Sequence, residues 1–253
     1  ELLDLAWKYK SNINFLRYCN SSSEQSKIAL LCEHILKYSK ERKSKLPLID
    51  KSITLDLYKQ SVSEWQNLVD AHWFFSEELG KTKDLIETLS NTSVSELEDS
   101  TIILFRDITK VIHAIDNRLE LRGRDSFGLS ICMTSPHFNI GNINDHVVED
   151  KKESIYYTKG DKVGTYSFVF KACNSIGGLG DNAIEIKRLI SSNAFFIQLI
   201  KSGQVTSATI MAHTRWASVG KVNYENTHPV ALIDSGFGDT ACHTLSCLNG
   251  DIY

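Results

Sequence analysis

A single glycine, Gly80, precedes Gly123, while the other thirteen follow Arg122. Few turns of left-handed backbone are therefore available early in the chain, so helices are expected there and strands with tight turns after it. No apolar run approaches the ~18 residues a membrane-spanning helix needs, which argues against a membrane protein. Basic residues are not in excess: 28 Lys and Arg against 31 Asp and Glu leave a net charge of -3, without the basic stripe of a nucleic-acid footprint. Small polar substrates stay open. The six cysteines, Cys19, Cys32, Cys132, Cys173, Cys242 and Cys247, include no CxxC pair. Neither a zinc cluster nor a disulfide framework is suggested, and reduced thiols fit a cytoplasmic protein. Glu1 is not an initiator residue and no signal peptide follows it, so the mature N-terminus is expected upstream.

What is present is enough for a full core. The chain has 253 residues, 42% hydrophobic and 23% charged, the balance of a globular protein of one large or two small domains. In the first region apolar residues recur at helical spacing: Leu2, Leu3, Leu5 and Ala6, then Ile28, Leu31, Cys32, Ile35 and Leu36, then Leu57, Tyr58, Val62, Trp65, Leu68 and Val69. Caps are predicted around Ser22 and Ser23, a break at Pro47, and a fresh N-terminus near Ser93 or Ser95. Trp65, Trp73, Phe74 and Phe75 read as core aromatics of a helical bundle, and the basic run Lys37 to Lys45 as a solvated helix end.

A further helix carries Ile103, Phe105, Ile108, Val111, Ile112, Ile115 and Leu119 and stops at Gly123. The period then changes. Short β-branched and aromatic runs at 127–133, 154–160, 164–173, 204–213 and 242–250 predict strands, largely antiparallel. One helix interrupts them, capped by Asp181, with Ile184, Ile186, Leu189, Ile190, Phe196, Ile197 and Ile200 on its core face. The segment "NSIGGLGDN" lacks the spacing and the Lys-Ser/Thr of a phosphate-binding loop and reads as a tight strand-to-helix turn. His213 and His228 have no third ligand at metal spacing, so neither a metal nor a cofactor is expected.

Three segments in order, "LELRGRDSFG" (119–128), "AHTRWASVG" running on to "NTHP" (212–229), and "LNGDIY" (248–253), resemble the motifs of class II glutamine amidotransferases, whose fold is that of N-terminal-nucleophile hydrolases. The nearest variety is the glutaminase domain of glucosamine-6-phosphate synthase. Asparagine synthetases share an "NGxIY" segment but lack the Trp of "HTRW". The resemblance covers about residues 100 to 253. It implies an α+β fold, the αββα sandwich with antiparallel sheets, over residues 99–253, with the helical residues 1–98 as an N-terminal region or insertion.

The resemblance also implies chemistry. Releasing ammonia from the glutamine side chain needs a thiolate, a proton acceptor, a clamp for the amino-acid end and donors for a developing oxyanion. Arg215 would hold the α-carboxylate with its fixed fork of donors, Trp216 would wall the pocket and Ser218 would offer a hydroxyl. Asn249 and Gly250 would form the oxyanion hole through a side-chain amide and a backbone N–H. Arg122 and Asp125 belong to the "RGxDS" motif beside the substrate, as supporting geometry. Gly128 would permit a close backbone approach, and His228 would brace its loop. By themselves, Arg215 reads equally as a surface ion-pair partner and Asn249-Gly250 as a hairpin turn.

The family's nucleophile is an N-terminal cysteine whose α-amine is the base, and here residue 1 is Glu. The expectation is a chain cut at both ends, with that cysteine upstream. The alternative is a catalytically inactive amidotransferase-like binding or interaction module. Cys247 reads as a strand cysteine, not a substitute thiol. Val219 stands where the closest motif has a histidine, which leaves the acceptor open. The implied partners are glutamine and an ammonia-accepting, sugar-phosphate isomerase-like domain, within a homo-oligomer.

Overall fold

Side-chain oxygens start most of the early helices. Ser11 accepts from Asn14 N (3.3 Å), Ser21 from Glu24 N (3.2 Å) and Thr54 from Leu57 N (3.4 Å), each satisfying an orphan N–H of a first turn. They open α2 (Asn12–Asn20), α3 (Ser22–Ser44) and α4 (Leu55–Trp73), behind α1 (Leu2–Tyr9). The cap of α3 is thus Ser21, one residue ahead of the expected Ser22 and Ser23. These elements belong to a computed structural model that describes residues 1–46, 54–138, 148–149, 153–159, 164–174, 178–217, 220–234 and 242–248. Pro47 lies outside the described residues. After α4 the helical path widens to a π-helix at Phe74–Gly80, continues as α5 (Lys81–Ser90), makes a 3-10 turn at Val94–Glu96 and resumes as α6 (Asp99–Ala114).

The chain divides into two compact units, residues 1–87 with 92–103, and residues 88–91 with 104–253. In the helical unit α3 packs on α4, and Phe15, Ala71, Phe75, Leu79 and Ile86 are buried. Tyr9 and Phe74 each meet Phe75 edge to face, at 6.0 and 5.1 Å between centroids. The aromatic expectation holds for Phe74 and Phe75, whereas Trp73 is exposed and Trp65 half-buried, with Lys43 lying 5.5 Å over the Trp65 ring. In the basic run Arg42 pairs with Glu64, so this helix end is laced to α4. Among the described residues no helix is long and apolar enough to cross a membrane.

The second unit is built on an antiparallel five-stranded sheet in the order β2-β3-β4-β1-β5, comprising β1 (Ser126–Thr134), β2 (Val148–Glu149), β3 (Glu153–Lys159), β4 (Gly164–Cys173) and β5 (Ser207–Arg215). A second, two-stranded sheet joins β6 (Val230–Asp234) to β7 (Cys242–Ser246). The molecule is therefore mixed α and β. Strands were expected where β1, β3, β4, β5 and β7 run, but β6 was not expected. Its apolar run of four, Val230 to Ile233, is too short for periodicity to separate strand from helix.

Alternation gives the large sheet two unlike faces. The odd positions of β1, Phe127, Leu129, Ile131 and Met133, are fully buried and pair in register with Ala172, Phe170, Phe168 and Tyr166 of β4. Helices α7 (Asp181–Ser192) and α8 (Ala194–Lys201) cover this apolar face. Phe196 stands edge-on to Phe168 and Phe170 at 5.1 and 5.6 Å, with Phe105 of α6 at 6.4 Å. The expected single helix is two, because Asn193 leaves helical geometry and its side chain caps α8 at Phe196 N (2.8 Å). Ile184, expected on the core face, is exposed.

The start of α7 departs from the expected Asp181 cap as well. Gly180 holds the cap position at φ +95°, and the Asp181 carboxylate accepts from Gly178 N (2.7 Å). The first turn is instead closed by Glu120, fully buried just beyond a π-helix at Ile115–Leu119, whose Oε2 accepts from Gly180 N at 2.9 Å. Asn182 donates to Arg124 O (2.7 Å) and Lys187 pairs with Asp116 (2.9 Å), so residues 116–124 are fastened to α7 just before they enter β1.

Burial pushes the Glu120 carboxyl above its ordinary 4.5, against the Gly180 and Asn182 backbone bonds that favour the charge. A carboxyl raised in the fold contributes stability that is complete below pH ~4.5 and lost as pH rises through the raised value. Glu120→Gln, keeping an acceptor without a charge, is therefore expected to melt at or above the wild-type temperature at pH 7. Glu120→Ala, which strips the acceptor from a part-buried N–H, is expected to lose about 1 kcal/mol. Thermal melts at pH 4.5 and 7 check both, and a destabilised Gln variant would overturn this account.

Candidate functional site

The other face of the large sheet is polar. At even positions of β1 stand Ser126, Gly128 and Ser130; Ser126 pairs with Cys173 and Arg215, and Gly128 with Lys171 and His213. One row across three strands thus carries Lys171, Gly128 and His213, and the next carries Cys173, Ser126 and Arg215. Lys171 stands on the back of β4, whose front carries Phe168 and Phe170, and His213 on the same face of β5, so this end of the face is polar.

Gly128 supplies the space for what crosses this face. A Cβ built on it would lie 1.7 Å from His228 O and 3.1 Å from Pro229 Cδ, so the His228-Pro229 segment that leads into β6 rests directly on the glycine. The close backbone approach expected at Gly128 is made by this segment. It brings the His228 ring to 4.7 Å from that of His213, at an interplanar angle of 49°. His228 Nδ1 in turn accepts from Leu248 N at 3.2 Å. Two polar atoms on the face, Ser126 Oγ and His213 Nδ1, are buried and find no hydrogen-bond partner among the described residues.

The "RGRDS" turn and the end of β5 are joined by a pair of bonds. Asp125 N donates to Arg215 O (3.1 Å), and Asp125 Oδ2 accepts from Ala217 N (2.7 Å). Gly123 fits beneath this junction, since a Cβ there would come within 3.0 Å of the Thr214 carbonyl carbon. Asp125 thus acts as a strut holding the backbone on either side of Trp216. The Arg215 guanidinium folds back over its own loop and donates from Nη1 to Lys221 O at 3.0 Å. Lys221 O also accepts from Asn226 Nδ2 (3.1 Å), so the loop leading to His228 is braced on the same carbonyl. Trp216 is 71% exposed and Arg122 is exposed on the surface turn before Gly123. Ser218, Val219, Asn249 and Gly250 lie outside the described residues.

The electrostatics follow from crowding cations on a half-buried face. Burial, then the neighbouring His228 ring and Arg215, hold His213 below its ordinary 6.5. Burial, then Arg215 and Lys171, do the same to His228. Burial lowers Lys171, whose Nζ donates to Tyr224 O (3.1 Å). Burial raises the Cys247 thiol, against the pull of Lys171, so this cysteine is held as a thiol, not a thiolate. Both imidazoles are therefore neutral near pH 7, and the positive charge of the face comes from Arg215 and Lys171.

Among the described residues no group of three His, Cys, Asp or Glu side chains is placed to hold a metal ion. The arrangement can bind an anion through Arg215 and can accept or hold a proton at either imidazole. Of these groups, sequence reasoning had considered His213 only as a metal ligand and had passed over Lys171. The signal for Lys171 was its odd-numbered position in a strand whose even-numbered positions, Tyr166, Phe168 and Phe170, are aromatic. The chain matches no known family model, no curated protein and no solved structure.

Proposed function

We propose that this chain carries the substrate-binding side of a glutaminase domain of the class II amidotransferase type, folded as an N-terminal-nucleophile αββα sandwich. The observation that carries the reading is convergence. Ser126 of the first motif stands in register with Arg215 of the second, Asp125 bonds to backbone on both sides of Trp216, and His228 rests on Gly128 and bonds to Leu248, next in sequence to Asn249. Residues of the first two segments, with Leu248 at the start of the third, thus lie together on one sheet face, which supports the glutamine reading.

In this reading Arg215 clamps the α-carboxylate of glutamine, with Trp216 as wall and Ser218 as a hydroxyl partner. The Asn249 amide and the Gly250 N–H receive the oxyanion of the tetrahedral intermediate, a contribution of typically ~3 kcal/mol for one donor. The nucleophile is a cysteine at the mature N-terminus of the encoded polypeptide, and its thiolate attacks the side-chain amide and expels ammonia. Arg122 and Asp125 hold the turn. The ammonia passes to a sugar-phosphate-handling domain in a cytoplasmic homo-oligomer.

The test uses the full encoded polypeptide with an electrophilic glutamine analogue, the adduct being mapped by mass spectrometry. An adduct on an N-terminal cysteine, protected by L-glutamine and not by D-glutamine, is the expected result. Stabilisation by L-glutamine without any adduct would point to an inactive binding module. Neither adduct nor a shift in melting temperature would end the glutamine reading.

A further inference from the structure

We propose that His228 is a positioning residue whose neutral imidazole latches the backbone at Leu248, and that protonation of this ring on the acid side of neutrality releases the latch. The inference deepens the glutaminase reading and rests on it at one step only, the role given to Asn249, which follows Leu248 in sequence.

The geometry admits one acceptor. Leu248 N–H points at His228 Nδ1 from 3.2 Å, and that nitrogen can accept only when the ring is neutral with its proton on Nε2. In the imidazolium both nitrogens donate, and the bond becomes an opposition of two N–H groups. The ring cannot swing away by carrying its backbone along. His228 O is seated on Gly128, and Pro229 and Thr227 on either side are buried, with Thr227 Oγ1 bonded to Asn223 O at 2.8 Å. The segment that must yield is the one at Leu248, which is exposed.

The surrounding charges set the window. From β5 the ring faces His213, at 4.7 Å, and Arg215; from β4 it faces Lys171, itself close to Cys173. Glu225, on the loop before His228, and Cys247, beside Leu248, act on Lys171. Burial lowers His228 first and the Arg215 and Lys171 cations lower it further, against a raising contribution from the Leu248 backbone, so the ring is held below its ordinary 6.5. A base lowered in the closed form gives a latch that is complete above pH ~6.5 and lost as pH falls from there through the lowered value. The latch is assigned to His228 because Leu248 N–H bonds to its Nδ1, whereas His213 Nδ1 finds no partner among the described residues and the Leu248 backbone raises His213 against burial.

Amide hydrogen exchange in the peptide holding Leu248, read by mass spectrometry between pH 5 and 7.5 and corrected for intrinsic rates, tests the latch in three proteins. Wild type is expected to exchange about five-fold faster at pH 5 than at pH 7.5, equivalent to ~1 kcal/mol at 1.4 kcal/mol per decade. His228→Asn puts an amide oxygen where Nδ1 stands and cannot titrate, so its protection is expected to be high and independent of pH. His228→Leu is expected to be unprotected at both ends of the range. Equal pH dependence in wild type and the Asn variant would overturn the proposal, and this comparison decides it even if the Leu variant fails to fold.

Glutamine binding by the same proteins separates the two ideas. If exchange follows the expected pattern while no protein, wild type included, binds glutamine, the latch stands and the glutaminase reading falls. If glutamine binds and exchange ignores His228, the latch falls and the reading stands.

Discussion

Gly128→Ala is expected to cost well over 3 kcal/mol, enough to leave little folded second unit at 37 °C. Overpacking in a core usually costs ~1–3 kcal/mol, because neighbours can shift by a few tenths of an ångström. Here the added methyl would sit 1.7 Å from His228 O and 2.7 Å from its carbonyl carbon, so backbone must move by more than an ångström. Neither side can give easily. Gly128 is held between β4 and β5 in a central strand, and His228 is held through its backbone by the run into β6 and through its ring by Leu248. Such losses belong to the exceptional tail of single substitutions. Urea melts of the variant check this, with Gly178→Ala as control. The nearest atom to a Cβ at Gly178 is Asp181 Oδ2 at 3.5 Å, an ordinary contact, so the control is expected to stay within about 1 kcal/mol of wild type. A Gly128→Ala protein as stable as the control would mean that the segment over the glycine is not seated there.

In the proposed glutaminase reading, Arg215→Ala is expected to weaken L-glutamine binding by at least 100-fold. Two charge-assisted bonds from one guanidinium to a carboxylate are worth roughly 1.5–3 kcal/mol each before their mutual geometry is counted, and 2.7 kcal/mol already corresponds to 100-fold. Arg215→Lys retains charge without the fork and is expected to recover only part of the affinity. Calorimetric titration with glutamine, glutamate and glutamine amide reads the effect. The amide, lacking the α-carboxylate, should bind weakly to wild type and no more weakly to the variant. Unchanged affinity in Arg215→Ala would remove Arg215 from the site.

How far this site was legible in the sequence can be judged residue by residue. Gly128 and His228 were read as a close approach and a loop brace, and the approach is there, made by His228 itself. The motif marks Asp125 as supporting geometry, and in the fold it bonds to the backbone of Arg215 and Ala217. Lys171 and the paired imidazoles were not foreseen as a group. Nothing along the chain says that residues 171, 213 and 228 become neighbours, because that follows from which strand lies on either side of β1. The cap at α7 was misplaced for a related reason. Asp181 has the right chemistry for a local cap, but a buried carboxylate sixty residues earlier, Glu120, reaches the Gly180 N–H first.

The sequence by itself determined the element types and their faces. Helical spacing marked α1, α3, α4 and α6, the alternation in β1 fixed which of its residues are apolar, and the shift in glycine content located the change from helices to strands. These are properties of the chain within one or two turns, where backbone sterics and the period of the side chains decide. Only the tertiary structure decided that β4 and β5 flank β1, that Asn193 splits one apolar helix into two, that Ile184 faces water, and that the polar back of the sheet is closed by His228 over a glycine. Those outcomes depend on burying one shared apolar face against α7 and α8 and on satisfying buried N–H and C=O groups with partners from distant parts of the chain.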